Sequence, residues 1–131
     1  MQHKAGSPAE WMRYANGDLA LARTQIPGIM LEILCFHAQQ AAEKAIKAVL
    51  IEKGVRFSKI HVLERLIDLL PADIPRAADL LASASLTEYA SVTRYPGMDE
   101  PVSEEAYREA VRLAESVVKW AEDILKQSGE L

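Results

Sequence analysis

Cys35-Phe36-His37-Ala38-Gln39-Gln40-Ala41-Ala42-Glu43-Lys44-Ala45-Ile46-Lys47-Ala48-Val49-Leu50 is the stretch that decides the fold. Read at about 100° per residue, Cys35, Ala38, Ala41, Ala42, Ala45, Ile46 and Val49 share one apolar arc. His37, Gln40, Lys44 and Lys47 form a narrow polar stripe at its edge. The pattern runs over 30–54 and predicts one long helix, stopped by Gly54 in the left-handed conformation. Alanine on the arc lets neighbouring helix axes approach toward the short end of the usual ~8–10 Å range. That is the place of a central helix in a bundle. Phe36, Leu50 and Ile51 fall on the otherwise polar side, so a loop or a second subunit is expected to cover them.

Working outward, Ser7-Pro8-Ala9-Glu10 is a capping box with proline at the first helical position. It opens a helix carrying Trp11, Tyr14, Ala15, Leu19 and Ala22, which stops near Gln25 before Pro27-Gly28. Beyond Gly54, a connector over 55–60 leads to a short helix over 61–70, with Leu63, Leu66, Ile67 and Leu70 inward and Ser58 or His61 as its cap. A fourth helix is expected over 76–92, with Leu81, Ala82, Ser85, Tyr89 and Val92 on its inner face. The loop over 93–101 contains Arg94 beside Tyr95, two prolines and a glycine. Ser103 then caps the last helix, with Glu104 and Glu105 favourably placed in the first turn, and its stripe of Ala106, Ala110, Leu113, Val117, Ala121 and Ile124 runs to about Lys126. No segment alternates with period two. The expected class is all-α: an up-and-down antiparallel bundle of four long helices plus a short fifth. One domain over 7–128 follows a loose tail over 1–6.

The 131 residues suffice for one core without metal or disulfide. The single cysteine, Cys35, excludes an internal disulfide and a cysteine-based zinc cluster, and reads as a small buried residue. Net charge is −4, which argues against a strongly salt-driven duplex binder. No signal peptide or membrane span is visible, so a cytoplasmic protein is expected. His37 and His61 lack the His-x-x-x-His or His-Glu-x-x-His spacing of a helical metal site, and no Gly-rich phosphate loop or Gly-x-Ser-x-Gly elbow occurs. No cofactor is expected.

Two readings of the stripe stay open. His37, Gln40, Lys44 and Lys47 either line up donors for a phosphate or nucleotide, or form a solvated helix edge, with Glu43 and Lys47 as an i, i+4 pair. Arg94 and Tyr95 either hold phosphate and base, or pack their loop with Arg94 paired to Asp99 or Glu100. Arg56 and His61, separated by four residues, would pair a permanent cation with a group that moves protons near neutral pH. Such a pair assists attack by a ribose 2′-hydroxyl.

Trp11…Ala15-Asn16-Gly17-Asp18-Leu19…Ala22, the Phe36–Ala48 string, Gly54…His61-Val62-Leu63 and Tyr89…Arg94-Tyr95-Pro96 together resemble the HEPN domain (higher eukaryotes and prokaryotes nucleotide-binding) over about 7–124. The resemblance implies a helical bundle, usually a homodimer, in nucleotide- or RNA-related work. It also implies a nucleotidyltransferase partner, often in a toxin–antitoxin pair. Active members of the family are metal-independent ribonucleases with Arg, four to six residues, then His late in the bundle. Here no histidine follows Arg94, and the spaced match Arg56…His61 lies earlier. The resemblance therefore points first to a binding module with His37, Gln40, Lys44, Arg94 and Tyr95 at the site. An RNA endonuclease toxin using Arg56 or Arg94 with His61 is the alternative. A third reading is a purely dimeric interaction module joined through Phe36, Leu50 and Ile51.

Overall fold

Ser7 stands in extended conformation (φ −71°, ψ 160°) and its hydroxyl accepts the Glu10 amide at 3.2 Å, which starts helix α1 (Pro8–Ala22) with proline in its first turn. The computed structural model describes residues 6–91 and 100–131. Helix α2 (Leu31–Glu52) follows after the turn over 23–30, and α5 (Glu104–Gln127) closes the chain. Between them lie α3 (Leu63–Asp68), α4 (Ala78–Ala82) and a 3₁₀ segment, Ser83–Tyr89. Among the described residues all regular structure is helical, and no helix is long and apolar enough to cross a membrane.

Helix α2 is the axis of the bundle, flanked by α1 and α5 and closed by α3 and the 3₁₀ segment. Ala38, Ala41, Ala42, Ala45 and Ala48 are wholly buried, so close packing falls where side chains are smallest. Gly54 (φ +71°) ends α2 as expected: its amide donates to Ile51 O at 3.0 Å, and the Val55 amide to Leu50 O at 2.9 Å. The same two-bond ending recurs on α5, where Gly129 has φ +80°. Leu50 is fully buried within this one chain, which corrects its assignment to a dimer face; Phe36 and Ile51 remain half-buried. In α1, Tyr14 points outward and Met12 takes the inner position beside Ala15, Leu19 and Ala22.

The fourth helix is shorter as an α-helix than its 3.6-residue period predicts. Its buried side chains are Leu80, Ser83, Leu86 and Tyr89, whereas Leu81, Ala82 and Ser85 are exposed. The interval is three, the repeat of a 3₁₀ helix. Two serines favour that winding. Ser83 Oγ donates to Leu80 O at 2.6 Å and Ser85 Oγ to Ala82 O at 2.9 Å, competing with the α-helical amides for those carbonyls. The start of α3 differs as well. Neither Ser58 nor His61 caps it; the Leu63 amide donates to Thr87 Oγ1 of the 3₁₀ segment at 3.0 Å. Arg76 ties down the loop over 69–77, its guanidinium donating to the carbonyls of Ile67, Leu70, Pro71 and Ile74.

Candidate functional site

Two carboxylates organise the polar edge of α2. Asp18 reaches across from α1, where it stands one helical turn beyond Tyr14. Its Oδ1 lies 3.0 Å from His37 Nδ1, and its Oδ2 accepts from Lys44 Nζ at 2.5 Å. Glu43 sits inside α2. Its Oε2 accepts from Lys47 Nζ at 3.0 Å and lies 3.1 Å from His61 Nδ1, while Oε1 accepts from Gln39 Nε2 at 2.9 Å. Gln39 Oε1 in turn accepts from Gln40 Nε2 at 2.7 Å. The stripe is therefore not a solvated edge: Lys44 keeps 24% of its side-chain exposure and Lys47 only 6%. The Glu43–Lys47 pair expected from i, i+4 spacing is present.

A carboxylate oxygen only accepts hydrogen bonds, so each histidine carries its proton on Nδ1 where it meets Asp18 or Glu43. Nε2 is then the nitrogen left for solvent or a ligand. The His61 ring is 64% exposed and the His37 ring 25%. In both, the carboxylate fixes the orientation of the ring.

Aromatic rings alternate with these charges. Lys47 Nζ lies 5.8 Å from the Trp11 ring and 5.3 Å from Phe57, and those two rings meet edge to face at 6.0 Å. Lys47 is thus anchored in the packing and offers little to a ligand. Lys44 Nζ lies 6.0 Å from the Tyr14 ring, and the Arg13 guanidinium 5.3 Å from the same ring. Gly6, Glu10, Trp11, Tyr14 and Lys44 line a recess of about 370 Å³.

The structure thus brings His37, Gln40 and Lys44 together on one face, with Asp18 between the first and the last. Arg56 is exposed on the connector after α2, at a recess with Ile51, Val55 and Phe57 that His61 does not line. Arg94 and Tyr95 lie outside the described residues, as do the tail over 1–5 and Val92. Among the described residues no three His, Cys, Asp or Glu side chains gather as a metal site would require. Reading the sequence alone overlooks Asp18 and Trp11 as parts of this face. The available signal was the i, i+4 placement of Tyr14 and Asp18 on the helix that precedes α2, an aromatic and a carboxylate on one strip.

The HEPN domain family model matches residues 8–124. The fold is similar to the crystal structure of TT1696 from Thermus thermophilus, with 28% identity, a TM-score of 0.75, and 88% of this chain and 96% of that one covered. It is also similar to ST0689, an archaeal HEPN homologue, with 28% identity, a TM-score of 0.70, and 91% and 98% covered. Among curated proteins none matches this chain.

Proposed function

Since the chain belongs to the HEPN domain family, we propose that it binds a nucleotide or a short RNA segment along the groove between α1 and α2. The observation that carries this reading is the recess between Tyr14 and Trp11, with Lys44 fixed at its edge. An aromatic wall takes a base by stacking, and an ammonium takes a phosphate. Asp18 already shares the charge of Lys44, and Glu10 stands at the same recess. The arrangement therefore suits a ligand with one phosphate better than a polyanion. His37 and Gln40 supply polar contacts beside Lys44. The chain would act beside a nucleotidyltransferase partner or as a homodimer, with the half-buried Phe36 and Ile51 among the apolar residues open to contact.

Calorimetric titration of the purified protein with nucleoside monophosphates and mixed-sequence RNA tests the reading. Tyr14→Ala and Lys44→Ala should each weaken binding by about tenfold or more, the scale of one lost base stack or phosphate contact, with helicity by circular dichroism unchanged. Equal affinity in both variants removes the groove from the binding site. One observation favours a second reading, RNA cleavage: Glu43 orients His61 with Nε2 outward. Metal-free cleavage of the RNA, lost in His61→Ala, would decide for it.

A further inference from the structure

We propose that the protein holds two successive nucleotides of a single strand, the second in a separate recess lined by Phe57 and Arg56. This rests on the α1–α2 groove being the nucleotide site, and it makes the ligand a short single-stranded oligonucleotide rather than a free mononucleotide. Ile51, Gly54, Val55, Arg56, Phe57 and Ser58 line the second recess, of about 500 Å³. A ring pair joins it to the first. Trp11 lines the recess beside Tyr14 and Lys44, Phe57 lines the other, and the two rings meet edge to face at 6.0 Å. Each recess thus offers an aromatic side chain and a cation, Lys44 in one and Arg56 in the other. Aromatic surfaces with cations beside them suit a single strand, because every base has a π-face and every linkage a phosphate.

Charge separates the two recesses. In the first, Asp18 shares the charge of Lys44, which leaves room for one phosphate. At the second, the acids are missing: none stands between Glu52 and Glu64, while Lys53, Arg56 and Lys59 fall there. Against a net charge of −4, those three cations leave −7 to the rest of the chain. Lys53 is paired with Glu52 at 3.3 Å, but Arg56 and Lys59 are exposed and meet no carboxylate among the described residues. Val55, Phe57 and Ile60 pack against the core, so the connector is anchored on its apolar side and presents its cations to solvent. The complement of this surface is an anion that carries a flat apolar group. A nucleotide unit is both, whereas an acidic peptide supplies the charge without the stacking face. The phosphate between the two nucleotides falls to Arg56, whose planar guanidinium suits it, and the second base to Phe57. Lys59 stands further along the connector for the phosphates of a longer strand.

Calorimetric titration of the full chain with AMP and with the dinucleotide pApA tests this, since the two differ by the second unit alone. The dinucleotide should bind about tenfold more tightly, the scale of one added base stack. That advantage should fall toward one in Arg56→Ala, and in Phe57→Leu, which keeps an apolar side chain against Trp11 but removes the ring. If Phe57→Leu fails to fold by circular dichroism, the exposed Arg56 decides alone. With hexaadenylate, the slope of log K against log salt should shrink by about 0.7 in Arg56→Ala and by as much again when Lys59→Ala is added. Equal binding of AMP and pApA, or an advantage that survives Arg56→Ala, overturns the second recess and leaves the groove standing. Displacement of hexaadenylate by polyglutamate at equal charge also overturns it, because the connector then attracts charge alone. If neither AMP nor pApA binds the wild-type protein, the groove itself falls and the second recess with it.

Discussion

Glu43 is a carboxylate within the central helix, and its reason for being there is Lys47. Each side chain alone would be a costly buried charge, and together they neutralise one another beside Gln39 and His61. Removing one partner leaves the other stranded, which in buried pairs costs about 3–5 kcal/mol. Glu43→Leu is therefore expected to lower unfolding stability by that order in urea at pH 7. Replacing both, as Glu43→Leu with Lys47→Leu, should restore most of the loss, because two apolar side chains of similar size need no partner. If the double variant is as unstable as the single one, the stabilising role of Glu43 lies with Gln39 and His61 instead.

Helix ends and helix interiors respond oppositely to the same substitution. Gly54 ends α2 at φ +71° with open space where a Cβ would stand, so Gly54→Ala meets no clash and only the left-handed backbone resists it. The expected loss is about 1–2 kcal/mol. Gly17 lies in the exposed middle of α1 with nothing near its missing Cβ, and Gly17→Ala should add about 0.5–1 kcal/mol. Thermal unfolding of the two variants checks both signs. These ends were legible in the sequence because each signal spans at most a few residues: Ser7 and its Glu10 amide, Ser103 and its Ala106 amide, Gly54 and its Ile51 carbonyl. The alanine arc of α2 was legible for the same reason. The carboxylate partners were not, since Asp18 meets Lys44 across 26 residues and Glu43 meets His61 across 18. Helical periodicity says which face a residue occupies and nothing about what stands opposite. The 3₁₀ segment escaped because a 3.6-residue template laid on a three-residue repeat drifts by about 20° per residue and rotates steadily off the inner face along the segment.

At the scale of the whole molecule, Arg112 links the last helix to the middle of the chain. It donates to Asp79 of α4 at 3.1 Å and to Glu109 of its own helix at 2.6 Å. These hydrogen bonds hold both carboxyls below their ordinary values of 3.8 and 4.5. A depressed folded-state value stabilises the fold above the unfolded-state value and is lost as the pH falls through the folded one. All the groups are exposed, so the effect is small. Arg112→Ala should lower Tm by about 1–3 °C at pH 7, and the gap to wild type should close as the pH is lowered from about 5 toward 2. A gap that stays constant with pH would assign the loss to the packing of the arginine stem rather than to its charge.

The hydroxyl of Thr87 on the first amide of α3 carries a consequence for how the molecule breathes. Six residues are too few to hold a helix by themselves in water, and this one takes its cap from a segment 24 residues further along the chain. The 3₁₀ segment must be seated before α3 has its first donor satisfied, and α3 loses that partner whenever the segment lifts. The two are therefore expected to open and close together, so that the lifetime of the shorter helix depends on residues that follow it.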